Sequence, residues 1–255
     1  MKPFSFLKIS ASLVAFAALL SATVVQAANP GAADLTPGVA KIVEFKGTVT
    51  FVKDGKTQPL MKGDTLGEKD TIITQGVGSE VKLDLGDNGG ELNVTADTTV
   101  VIETLKVNKN KDAETKLDLK KGGLIGNVKK LSKASNFEVK HAEGVAGIRG
   151  TLWAVLPGQG VICLEGSVLV TFVVNGVALP PITLGPGQMV SPPRNGQPPV
   201  VFDVPPVLQT LVRRYVTLTN NQGDGRGGGR RDVRVIVSAF AGQEDPGPGN
   251  DNQDN

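Results

Sequence analysis

An all-β fold, with many short strands stacked as a roll or sandwich, is predicted by three observations. Aromatic residues make up only 4% of the 255-residue chain, while Gly and Pro number 32 and 16. That composition suits short strands and turns better than long helices. Apolar and polar residues alternate with a period of two in run after run. Gly, Asn and Asp separate these runs at intervals near the roughly 8–12 residues expected of sandwiches, barrels and rolls.

The first strand signals are residues 41–45 and 48–52, with Asp54-Gly55 supplying a tight hairpin turn after the second. Further runs follow at 71–74, 80–85, 91–94, 99–103, 116–119 and 123–128. The second half repeats the style at 136–140, 151–155, 161–164 and 168–174. Residues 168–174 are apolar at every position except Thr171, which predicts a strand covered on both faces. Asn175-Gly176 is the strongest hairpin signal, and its return strand, 177–179, is stopped by Pro180-Pro181.

The composition then changes. Proline pairs at 192–193, 198–199 and 205–206 predict an extended Pro-rich linker over 191–206. Val207, Leu208, Leu211, Val212, Tyr215 and Val216 fall on one face of a short amphipathic helix that leaves Arg213 and Arg214 outside. Residues 220–231 read as a loose Gly/Arg-rich loop and 232–237 as a last strand, both within a 207–241 segment; 242–255 read as a disordered tail.

The first 27 residues read as an address. Lys2 and Lys8 flank the start of an apolar run over 9–20, and Val25-Gln-Ala27 places small residues at −3 and −1. This is the pattern of a cleavable secretory signal, so cleavage is expected after Ala27, with a flexible leader over 28–40 and a β domain over 41–190. The apolar run is too short and too broken by serines for a permanent anchor. No other run could span a bilayer, so the mature chain is expected to be periplasmic or secreted. The chain holds 27 basic and 25 acidic residues, and loss of the two signal lysines leaves it formally neutral. The net-charge case for nucleic acid goes with them. Charge still segregates locally: Lys is dense from Lys106 to Lys140, and Arg dominates from Arg213 to Arg234.

Little in the sequence points to reaction chemistry. Cys163 is the only cysteine, in an apolar run, and reads as a buried small hydrophobe. His141 is the only histidine, which excludes a His-based metal cluster, and it reads as a surface residue at a strand end. Asp84, Asp87, Asn88 and Asp97 lack calcium-loop spacing, and the Gly-rich stretch 223–229 lacks the Gly-Lys-Ser/Thr ending of a phosphate loop. The expectation is a non-enzymatic protein with no metal and no cofactor.

The most unusual stretch is Gly144-Val-Ala-Gly-Ile-Arg-Gly-Thr151, in which Gly147 and Gly150 bracket Arg149 ahead of a strand beginning at Leu152-Trp153. The five-donor guanidinium of Arg149 suits tying down strand-end carbonyls or a carboxylate, a structural role, or alternatively receiving an anionic group of a partner. This segment, Ala146-Gly-Ile-Arg-Gly-Thr-Leu-Trp153, resembles the "A-x-x-R-G-T-x-F" signature of the FecR family of extracytoplasmic domains. Leu60-Met-Lys-Gly-Asp64 and Asp70-Thr-Ile-Ile-Thr-Gln-Gly76 with Ser79 are similar to the family's "L-x-x-G-D … I-x-T-G-x-x-S" stretch, and Glu165-Gly166 and Leu184-Gly-Pro-Gly-Gln188 complete it. The likeness runs from about Gly47 to Gln188. It singles out Gly63, Asp64, Gly147, Arg149, Gly150, Thr151, Trp153, Glu165 and Gly166 as signature residues with structural roles. Signalling members of the family carry a cytoplasmic helical part ahead of a membrane span. The apolar segment here begins near residue 9, so the resemblance implies the periplasmic domain alone, without direct anti-sigma activity. The expected function is a binding or signalling module that meets another envelope protein through a β edge or face. The alternative is a structural envelope protein, glycan-associated or self-assembling.

Overall fold

The structure is a computed structural model and describes residues 34–217. The expected signal segment, the Gly/Arg-rich loop, the last candidate strand and the tail lie outside the described residues. Strands dominate, as the sequence predicts. In chain order they are β1 (Thr36–Pro37), β2 (Ala40–Lys53), β3 (Lys56–Pro59), β4 (Thr65–Leu66), β5 (Thr71–Asp84) and β6 (Glu91–Val94). Next come β7 (Thr99–Val107), β8 (Ala113–Lys121), β9 (Leu124–Asn127), β10 (Asn136–His141), β11 (Gly144–Arg149) and β12 (Leu152–Leu156). The last are β13 (Gly160–Cys163), β14 (Ser167–Val174), β15 (Val177–Ala178), β16 (Ile182–Leu184), β17 (Gln188–Ser191) and β18 (Val200–Asp203), before the helix α1 (Pro206–Thr217).

Two long strands, β2 and β5, organise the sheet. Each joins two runs that the sequence separates at glycine. They pair antiparallel with irregularities between Ile42 and Glu44 and between Lys46 and Thr48. At the second, Gly47 (φ 71°) stands opposite the four residues Gly76 to Ser79, and the unequal count bends both strands. Ser79 closes the bend: its Oγ accepts from the Thr48 amide at 3.0 Å and donates to the Gln75 carbonyl.

The bend divides one continuous sheet into two layers. The first half of β5 leads through β7, β8, β10, β11 and β14 to β16. The second half leads through β6, β9, β12, β13 and β17 to β18. Inward residues of both layers, among them Ile102, Phe137, Val170, Leu92, Trp153 and Val190, form a single buried cluster. Phe137 of the first layer meets Trp153 of the second edge-on, with centroids 5.8 Å apart. Cys163 lies fully in this core, as expected, and burial pushes its thiol pKa up.

Helix α1 forms where the apolar spacing predicts it and covers the outer face of the second layer. Leu208 and Val212 are buried there against Ile125, Leu152, Ala154, Ile162 and Met189, with Leu211 and Tyr215 at the margin. Burying each such aliphatic side chain contributes about 1.5–3 kcal/mol. Arg213 stays outside and donates to Glu165 at 2.8 Å. Burial, with the Glu80 carboxylate beside it, lifts the Tyr215 phenol pKa to about 12. A phenol whose folded pKa exceeds its unfolded value of about 10 stabilises the fold in full below pH 10 and loses that contribution as the pH climbs to 12. Urea midpoints should therefore fall between pH 9 and pH 11.5 by an amount worth about 2 kcal/mol, and Tyr215→Phe should lack that component of the loss.

Several expectations are corrected. The run 168–174 is not covered on both faces: Val168, Val170 and Phe172 point into the core, while Leu169 and Val173 are exposed. The doubly covered strands are β9, β12 and β13, because the helix packs on the second layer and not the first. Residues 144–149 form a strand, β11, paired on one side with β10 and on the other with β14. The 191–206 segment is not a plain linker. It contains β18, which pairs with β17 across a turn at Asn195-Gly196 bridged by Arg194 and Gln197. Part of the expected 28–40 leader already belongs to the sheet: β1 pairs with β7, and Ala40 is buried at the start of β2. His141 is not a surface residue. On β10 it follows Phe137 and Val139 in the inward alternation, so it is buried, edge-on to Phe172, with Nδ1 3.0 Å from Glu143 Oε2.

Candidate functional site

The signature residues lie in three places. Gly63 (φ 94°) and Asp64 close the loop between β3 and β4, where the Asp64 carboxylate accepts from the Met61 amide at 2.8 Å. The Asp64 carbonyl also accepts from the Ile42 amide at 2.8 Å, which fastens the loop to β2. Gly147 sits mid-strand in β11, opposite Glu138 and Leu169. The remaining six, Arg149 to Thr151, Trp153, Glu165 and Gly166, meet at one corner.

That corner is where the chain leaves the first layer at the end of β11 and enters the second at β12. Gly150 makes the crossing with φ 58°, and a Cβ there would stand 2.6 Å from the Lys130 Cα. Gly166, on the return from β13 to β14, comes so close that its own Cβ would meet the Gly150 carbonyl oxygen at 2.4 Å. Two chain crossings thus stack backbone on backbone, which only unsubstituted residues allow. Thr151 is buried beneath them, its carbonyl accepting from the Val128 amide at 2.9 Å and its hydroxyl 3.6 Å from Cys163 Sγ. Trp153 is fully buried with no partner for Nε1. Arg149 is exposed and donates to the Ser135 carbonyl at 3.4 Å. Glu165 is exposed and takes the Arg213 ion pair.

The corner therefore holds the connection between β9 and β10, residues 128–135, from three sides: through Thr151, through Gly150 and through Arg149. The far end of that connection is tied to the turn between β7 and β8. Ser132 Oγ donates to Asp112 Oδ1, and Ser135 Oγ accepts from the Ala113 amide at 3.0 Å. Hydrogen bonds from Ser132 and Asn108 hold the Asp112 carboxyl below the usual carboxylate range. Sequence reasoning found the signature but not the loop it secures, since nothing in spacing alone links Arg149 to Ser135.

Two exposed apolar surfaces lie at the flank where β16 turns into β17. One is the outer face of β14 and β15, with Leu169 at 46% exposure and Val177 at 65%. The other is β18, whose pairing among the described residues is with β17 alone and whose Val200, Val201 and Phe202 are all exposed. Among the described residues no group of three or more His, Cys, Asp or Glu could hold a metal ion. No helix among them is long and apolar enough to cross a membrane.

Two crystal structures of a candidate anti-sigma factor from Parabacteroides distasonis, at 2.50 Å and 1.65 Å, are similar to this chain at 16% and 15% identity with TM-scores of 0.41 and 0.40. In each case the likeness covers 51% of this chain and 58% of the other. The chain thus spans little more than half the length of those structures. No curated protein matches the sequence. The FecR protein family model matches residues 70–169, from the start of β5 into β14, taking in the whole corner but not Gly63 or Asp64. The part of this chain that is similar to the FecR protein family is thus residues 70–169, and the crossing between the two layers lies within it.

Proposed function

We propose that this chain is an exported, non-enzymatic FecR-like module that docks another envelope protein by strand addition at β18. One observation carries the reading. β18 is an apolar strand at the end of a layer, paired on one side only among the described residues and exposed at Val200, Val201 and Phe202. A free strand edge is a ready template for a second chain, and proteins usually shield one with charge, bulges or cover. Here the four strand positions carry one charge, at Asp203. Main-chain hydrogen bonds would supply affinity, and the alternating side chains would supply selectivity. The signal pattern of the first 27 residues supports export. The match of residues 70–169 to the FecR protein family model supports a signalling or regulatory role.

The test is a pull-down from a periplasmic fraction with the full mature chain and with a Val201→Lys/Phe202→Lys variant. The expected result is one stoichiometric protein partner on the parent chain and at least a tenfold loss on the variant, since two hot-spot truncations typically cost about 2 kcal/mol or more. Equal recovery by the two would overturn docking at β18. Sedimentation with cell-wall material and no protein partner would support the structural reading instead.

A further inference from the structure

The lysine-rich stretch from Lys106 to Lys140 plays no part in the docking proposal, yet the fold gathers its loops. A cleft of about 300 Å³ opens between the 3-10 turn Gly86–Asn88, the β7–β8 turn and the β9–β10 connection. Lys111, Lys129 and Lys130 line it together with Asp87, Gly90 and Leu131. Asp87 faces Lys111 at 3.5 Å. Lys129 and Lys130 have no carboxylate within ion-pair distance among the described residues, nor do Lys109 and Lys133 on the same two loops. Elsewhere on the same stretch most charges are matched: Lys106 lies 3.9 Å from Glu68, Lys116 meets Glu114 at 2.8 Å, and Asp118 takes both Lys120 and Lys140, leaving Lys121 at the end of β8 as the exception. Four of the five lysines of this stretch without an ion pair among the described residues thus lie on the two loops that flank the cleft, and Lys129 and Lys130 line it.

The walls are held in place. The Arg149–Gly150–Thr151 corner and the Asp112–Ser132–Ser135 bonds fix the connection that carries Lys129 and Lys130. On the opposite side Gly90 leaves no room for a side chain: a Cβ there would stand 2.8 Å from the Asn127 carbonyl. Holding ammonium groups around one concavity costs electrostatic repulsion that an anion would relieve. The volume is at the lower end for small-molecule sites, so the guest is small, and three lysines against one aspartate in the lining make it an anion. Its donors are point-like ammonium groups with no guanidinium fork, which suits a compact phosphate better than a flat carboxylate.

We propose that this cleft binds a phosphate dianion, either free or as the monoester of a sugar, on Lys111, Lys129 and Lys130. The proposal is independent of docking at β18.

Isothermal titration of the mature chain with inorganic phosphate and with glucose 6-phosphate, at low ionic strength, tests it. Saturable one-to-one binding of either is expected. Lys129→Gln/Lys130→Gln should weaken that binding by about tenfold or more, while Lys56→Gln/Lys62→Gln, on exposed lysines of the β2–β4 region, should leave it unchanged. Tighter binding of glucose 6-phosphate than of phosphate identifies a phosphosugar; the reverse identifies the free ion. No binding of either probe would overturn the proposal, as would equal losses in the two double variants. Both variants change exposed side chains, and unchanged urea midpoints will show that the fold is intact.

Discussion

Trp153→Ala is expected to lower the free energy of unfolding by about 3–5 kcal/mol, a large part of the roughly 5–15 kcal/mol available to a typical domain. Trp153 has no exposed surface, and its ring spans the two layers by meeting Phe137 edge-on. Its register partner on β9 is Gly126, and the fit is so close that a Cβ on Gly126 would stand 2.5 Å from the indole. The ring therefore fills the space a side chain on the neighbouring strand would otherwise occupy, and truncation leaves a cavity with no local group to collapse into it. Trp153→Phe should cost much less, under about 2 kcal/mol, because the indole N–H has no partner to lose. Urea denaturation of the three proteins decides it: a Phe variant as unstable as the Ala variant would mean that the indole nitrogen contributes a bond.

Gly150→Val should be nearly as damaging, at about 2–4 kcal/mol. The backbone there has φ 58°, unfavourable for a β-branched residue, and the added carbon would press on Lys130 Cα and on the Lys130 and Leu131 amides. Backbone cannot move aside as a flexible side chain can, so the 128–135 connection must shift. Gly176→Val separates the two effects. It has φ 78° at the β14–β15 hairpin tip with nothing within 4 Å of the added carbon, so it bears the dihedral strain alone, about 1–2 kcal/mol. Thermal unfolding measures the difference, and amide exchange over residues 128–135 should speed up in the Gly150 variant only. Equal losses would show that the crossing contributes no close contact.

Period-two alternation and two-residue turns made much of this fold readable in advance. Asp54-Gly55 and Asn175-Gly176 both form the tight hairpins their residues prescribe, with positive φ at each position. Glycine was the main source of misreading. At Gly47 and at Gly76 to Ser79 it bends a continuing strand instead of ending one, and at Gly144 and Gly147 it sits inside β11. Proline misled in the same direction. The pairs at 198–199 and 205–206 flank β18 without interrupting it, as an edge position permits. The face exposed on β14 was not readable, because an apolar run does not say which layer a distant helix will cover. The corner shows the same limit. Its residues stood out in sequence, but their contacts with Lys130 and Ser135 depend on a connection that the sequence marks only as polar.

The single parallel pairing among the described strands, between β8 and β10, carries a consequence for how the domain assembles. Between those neighbours in the first layer the chain departs to lay β9 in the second, then comes back. The same alternation recurs as β11 gives way to β12 and β13 before β14. Neither layer can be completed from consecutive sequence, so neither can be stable while the other is missing. Partial domains cut anywhere along this route would lack the facing half of their own core. The molecule is built to melt as a single cooperative unit and to fold slowly, governed by contacts between distant parts of the chain.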